Sequence, residues 1–138
     1  MINKENLLYA AHLVLKANST FEEALILKEH YKYQGASNRL YYALFYCANA
    51  LLALKGLASS KHRGVKSLFD LHFVKMGLID KKYSKLFSIV RRIREDSDYD
   101  NFYIIDRTEV EQNFTEVKDF IEYTKTFIDK VEKGEIEI

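Results

Sequence analysis

Proline is absent from this 138-residue chain, cysteine occurs once and glycine five times. Proline and glycine are the strongest helix breakers, so their scarcity favours long uninterrupted helices. A single cysteine, Cys47, rules out an intrachain disulfide and gives no sign of an oxidising compartment. No stretch approaches the ~18 consecutive apolar residues of a membrane span. The N-terminal Asn3, Lys4, Glu5 and Asn6 are polar where a secretory signal would be apolar. The expectation is therefore a cytoplasmic protein with no membrane association. Composition is otherwise ordinary, with 48% hydrophobic and 30% charged residues, which suits one folded domain over 1–138.

Net charge is also scarce, at +1, but the charges are sorted along the chain. Residues 1–54 carry +1, residues 55–94 carry +9 and residues 95–138 carry −9. Such blocks can steer a polyanion to one surface, or pair with each other within the fold or across a dimer. Self-pairing is favoured, because a dedicated nucleic-acid binder usually keeps a basic excess.

Apolar residues recur at helical spacing and nowhere show sustained strand alternation. Leu7, Leu8, Ala11, Val14 and Leu15 mark a first helix at residues 3–17, with residues 1–18 read as an extra or variant N-terminal helix. Ser19 with Glu22 reads as a capping box opening a second helix, which Gly35 breaks. Residues 36–55 form the most hydrophobic segment, suited to the centre of a bundle, with Gly56 as its stop. A short helix follows over residues 65–76. Asp80 then caps a helix carrying Tyr83, Leu86, Phe87, Val90 and Ile93 on one face. Thr108 with Glu111 opens the last helix, whose seam runs through Val110, Phe114, Val117, Ile121, Thr124, Ile128 and Val131. Residues 133–138 read as a loose tail. The expected fold is an all-α, up-and-down antiparallel bundle of four to six helices.

Familiar chemistry is missing as well. No glycine-rich phosphate loop follows a strand, no serine–histidine–acid set can be assembled, and no histidines or cysteines have zinc spacing. No metal or cofactor is expected. What stands out is Arg94, which at about 100° per residue falls within the apolar sector of its helix, whereas Arg91 and Arg92 point away. An inward guanidinium requires an anionic or hydrogen-bonding partner. It is either a structural ion-pair member or a ligand-binding residue. The central helix adds a polar line, Asn38, Tyr42 and Asn49, with Arg39 and Tyr46 beside it. That line either fixes helix packing through internal hydrogen bonds or lines the same cleft as Arg94.

Asn38-Arg39-x-Tyr41-Tyr42-Ala43-x-Phe45 resembles the signature of the HEPN superfamily, in particular its small stand-alone prokaryotic branch. The resemblance continues through Ser60-Lys61-His62-x-Gly64-Val65, Leu68-Phe69, Phe73-x-x-x-Gly77 and Arg94-x-x-Ser97-Asp98-Tyr99, covering about residues 20–130. It implies a helical homodimer associated with nucleotide or RNA, often paired with a minimal nucleotidyltransferase in a toxin–antitoxin-like system. Active members of that family are metal-independent ribonucleases in which an arginine is followed, five to seven residues later, by histidine. The guanidinium holds the scissile phosphate and the imidazole moves a proton. At those offsets Arg94 is followed by Tyr99, Asp100 and Asn101, so the histidine is missing. The resemblance thus implies a binding module with Arg94, Asn38, Arg39, Tyr42 and His62 as ligand contacts. The alternatives are a noncanonical ribonuclease using Arg94 with Tyr99, Asp98 or His62, or a structural dimerisation protein. With a nucleotidyltransferase partner, Tyr99 is the expected acceptor of a transferred nucleotide.

Overall fold

The computed structural model describes residues 2–59 and 62–138, with His62 described by its backbone alone. Among these residues there are five α-helices and no strand: α1 (Lys4–Glu29), α2 (Tyr33–Leu54), α3 (His62–Phe69), α4 (Lys82–Tyr99) and α5 (Arg107–Glu132). The all-α bundle expected from the apolar spacing is the observed architecture.

The structure corrects the start of the chain. Helix α1 runs unbroken through Ser19, so the two helices expected there are one. Its buried residues Ala10, Leu13, Val14, Ala17, Thr20, Phe21 and Ala24 keep their three- and four-residue spacing across the supposed break. With no glycine or proline nearby, continuous burial outweighs a local capping signal. The Thr20 hydroxyl donates to the Lys16 carbonyl at 2.8 Å, one turn back in the same helix. The real start is Asn3, whose side chain accepts from the Glu5 and Asn6 amides at 2.7 and 3.3 Å.

Nor does Gly35 break the helix. The turn comes earlier, with Tyr31 in the left-handed region at φ 59°, and Gly35 lies inside the first turn of α2. A Cβ on Gly35 would stand 3.2 Å from Leu27 Cδ1, so the glycine allows α1 and α2 to approach closely. Helix α2 packs against each of the other four helices, and Leu40, Tyr41, Leu44, Cys47, Leu51 and Leu52 are at most 1% exposed. It ends as expected at Gly56, with φ 70° and the Leu57 amide donating to the Leu52 carbonyl at 3.0 Å.

Helix α3 passes directly into a π-helical turn, Asp70–Val74. The Lys55 ammonium donates to the His72 carbonyl there at 2.8 Å and lies over the Phe73 ring at 4.9 Å. Helix α4 buries the expected Tyr83, Leu86, Phe87, Val90 and Ile93, and Asp80 accepts from the Lys82 amide at 2.8 Å. Helix α5 starts one residue before Thr108, because its cap is Asp106, which accepts from the Thr108 and Glu109 amides at 2.9 and 3.2 Å. Its seam is buried as read, with Asn113, Phe120 and Phe127 added. The segment after α5 folds back, placing Ile136 against the core.

The sorted charges meet within the chain. Arg91–Glu95 at 3.1 Å, Arg92–Asp96 at 3.9 Å and Arg94–Asp98 at 3.5 Å all cross the boundary between the basic and acidic blocks. Arg92 also reaches Glu109 at 2.7 Å, tying α4 to α5.

Candidate functional site

Helix α4 turns Arg94 towards α2, and its side chain is only 12% exposed. Aromatic faces surround the guanidinium: its carbon lies 4.9 Å from the Tyr41 ring centre, 5.7 Å from Tyr42 and 5.9 Å from Tyr99. Such faces attract a cation without accepting all its hydrogens. The nearest carboxylate, Asp98 on the next turn, is 3.5 Å from Nε, close enough for Coulombic attraction but long for a hydrogen bond. Among the described residues Arg94 Nε is buried without a hydrogen-bond acceptor, and so is Ser97 Oγ without a partner. An arginine with one unspent donor beside a buried hydroxyl is incompletely satisfied by its own protein.

Asp98 is held from α2. Its Oδ2 accepts from Asn38 Nδ2 at 3.2 Å, while Asn38 Oδ1 accepts from Arg39 Nε and Nη2 at 3.1 and 2.7 Å. Arg39 lies over the Tyr42 ring at 5.1 Å. Asn38, Arg39, Tyr42, Arg94, Asp98 and Tyr99, all singled out from the sequence, therefore form one connected cluster between α2 and α4. Tyr46 touches the cluster through the Tyr42 ring, 6.3 Å away between ring centres, while its own ring carries the Lys16 ammonium at 4.6 Å, on the side facing α1. Ser60, Lys61 and the His62 side chain lie outside the described residues.

Tyr41, marked in the sequence only as part of the HEPN-like signature, also has a part here. It is fully buried, yet its ring is the face nearest the Arg94 guanidinium. Burial pushes its phenol up to about 12, against the opposing pull of Arg91 and Arg94. The available signal was its place beside Tyr42, on the side of α2 that must meet α4.

Arg94 opens to the surface through a shallow hollow of about 530 Å³ that Glu95, Asp96, Tyr99 and Asp100 also line. Three carboxylates on its rim would repel an anion, but each is engaged. Glu95 meets Arg91 at 3.1 Å, Asp96 meets Arg92 at 3.9 Å, and Asp100 accepts from the Phe102 amide at 2.9 Å. Tyr99 is 73% exposed at the mouth. A phosphate oxygen entering here would meet the Arg94 guanidinium; proton transfer at neutral pH is poorly served by a phenol or by a carboxylate already paired. Among the described residues no group of three or more His, Cys, Asp or Glu is placed to hold a metal ion. No described helix is long and apolar enough to cross a membrane.

The HEPN domain model matches residues 10–134. A UPF0332 protein of Thermotoga maritima is 36% identical over 118 residues, covering 86% of this chain and 84% of that protein. A protein of Methanocaldococcus jannaschii named a putative toxin is 32% identical over 138 residues, covering 100% of this chain and 97% of its own. A second putative toxin of that organism is 30% identical over 116 residues, or 84% and 79% of the two chains.

Proposed function

The chain belongs to the HEPN domain family, and from that premise we propose that it is an RNA- or nucleotide-binding module of a toxin–antitoxin-like pair. The observation that carries this reading is Arg94, bordered by three tyrosine rings yet with its buried Nε left without a hydrogen-bond acceptor. In the proposal Arg94 holds a phosphate, Asn38 and Asp98 fix its orientation, and Arg39 and Tyr42 close the wall behind it. The names of the two Methanocaldococcus relatives favour a toxin role. The partner is a minimal nucleotidyltransferase. Tyr99, exposed beside Arg94, is the acceptor: its phenol oxygen attacks the α-phosphate of a nucleoside triphosphate, pyrophosphate leaves, and the phenolic proton passes to solvent. The protein works as a homodimer in the cytoplasm. Phe102 and Ile104, 93% and 90% exposed in the α4–α5 connector, are apolar contacts available to a second copy.

The test is retention and cleavage of a mixed RNA pool in EDTA by the wild type, Arg94→Ala, Asp98→Asn and Tyr99→Phe, each checked for folding. Retention without cleavage, lost in Arg94→Ala, is expected. Cleavage that depends on Arg94 would replace the binding module with a ribonuclease. Neither retention nor cleavage would sink the RNA reading.

A further inference from the structure

The turn between α1 and α2 carries a side chain where the comparable turns carry none. Left-handed backbone occurs at Gly56, Gly77 and Gly134, with φ of 70°, 75° and 76°, and at Tyr31, with φ of 59°. The hydrogen bonding at Tyr31 is that of an ordinary helix stop: the Lys32 amide donates to the Leu27 carbonyl at 2.8 Å and the Tyr31 amide to the Lys28 carbonyl at 2.9 Å. Glycine would make the same bonds without the steric strain of a Cβ. Nor does the core need the ring, which is 73% exposed. A strained, solvent-facing tyrosine is accounted for by neither the turn nor the packing.

Tyr31 borders an open groove of about 570 Å³, with Tyr33, Gly35, Asp98, Ile105 and Arg107 among its lining. Lys32 is also on its edge, and the Arg107 guanidinium lies over the Tyr33 ring at 5.0 Å. Asp98 is the same carboxylate that contacts Arg94 and accepts from Asn38. The groove and the Arg94 cluster therefore meet at this one carboxylate. The groove combines an exposed aromatic face, two cations and a carboxylate acceptor, in a volume that suits a small organic ligand.

We propose that this groove is a nucleoside subsite, taking the base and ribose next to the phosphate held by Arg94; it rests on the phosphate-binding reading of that residue. Tyr31 stacks on the base, Asp98 accepts from a ribose hydroxyl or a base amino group, and Arg107 and Lys32 meet the adjoining phosphate. The chemistry recognised is an unstacked nucleotide, supplied either by single-stranded RNA or by a free mononucleotide. A duplex keeps its bases stacked and cannot offer one.

The experiment measures fluorescence anisotropy of a labelled short single-stranded RNA, with its duplex as a parallel probe and AMP as competitor, alongside thermal melts. Tyr31→Gly is expected to raise the melting temperature while weakening single-strand binding by about ten-fold, the loss of one stacked base. Arg107→Ala is expected to weaken binding with folding intact, and the duplex to bind less tightly than the single strand. Displacement by AMP assigns the subsite to free nucleotide as well as to RNA; failure of AMP to displace assigns it to the strand alone. Wild-type affinity in both Tyr31→Gly and Arg107→Ala, with binding lost in Arg94→Ala, overturns the groove and leaves the Arg94 site standing. No binding of RNA or AMP by the wild type overturns both.

Discussion

Burial sets the chemistry of the single cysteine. Cys47 is fully enclosed, and desolvation pushes its thiol from 9.0 up to about 12, against the opposing pull of the Thr124 hydroxyl. A thiol kept protonated and shielded is inert. Alkylation at about pH 8 should leave the folded protein unmodified and label Cys47 only after denaturation; rapid labelling of the native protein would contradict this burial. Tyr41 is shifted in the same direction, from 10.0 to about 12. Both folded values lie above the unfolded ones, so their stabilisation is complete below the unfolded pKa and is lost as pH rises through the folded one. Thermal midpoints should therefore fall progressively between about pH 9 and 12. At the surface, Tyr99 is 73% exposed, as an acceptor must be. Incubation with an active nucleotidyltransferase partner and ATP should add one adenylyl group to the intact mass, and Tyr99→Phe should abolish the addition. An unmodified wild type, with the partner active, would reject Tyr99 as acceptor.

Two helix-start signals in the chain look alike on paper and differ in the fold. Ser19 with Glu22 lies within α1, and Thr108 with Glu111 lies within α5, which Asp106 caps. Asp106→Ala should cost about 1 kcal/mol, the usual loss of a side-chain cap. Ser19→Ala should be neutral or stabilise by up to about 0.5 kcal/mol, since an exposed mid-helix serine gives way to a better helix former. Urea denaturation of the two variants decides it, and a large loss at Ser19 would mean a helix boundary there. The face of α4 was legible because Tyr83, Leu86, Phe87, Val90 and Ile93 act through local spacing alone, whereas its cap position is Lys81 rather than Asp80. The α1–α2 turn was not legible, because Gly35 serves close approach to Leu27 and a tyrosine occupies the position where glycine is expected.

For the whole molecule, the basic and acidic blocks meet through Arg91, Arg92 and Arg94, in pairs within α4 and from α4 to α5. Exposed pairs such as Arg92–Asp96 contribute roughly 0–1 kcal/mol each, so they shape the surface field more than they hold the fold, whereas Arg94–Asp98 is mostly buried. What they leave uncovered is the apolar connector after α4. Phe102→Ser combined with Ile104→Ser should shift sedimentation from dimer to monomer while the helical signal is retained. A wild-type monomer, or a dimer indifferent to both changes, would place the connector outside any interface.

Helix content, the apolar faces and the inward direction of Arg94 were determined by the sequence itself, because they follow from residue spacing within single elements. Asn38, Arg39, Tyr42, Asp98 and Tyr99 could be named one by one from their types and from the HEPN resemblance. That they form one cluster was decided only by the packing of α2 against α4, which brings residues 60 apart in the chain into hydrogen-bond contact at Asn38 and Asp98. Tertiary structure alone also decided that Tyr41 faces a cation, that Tyr46 faces Lys16, and that the Tyr31 groove shares Asp98 with Arg94. Periodicity reports which face of a helix is apolar, but which neighbour meets that face depends on how all the helices fill the core together.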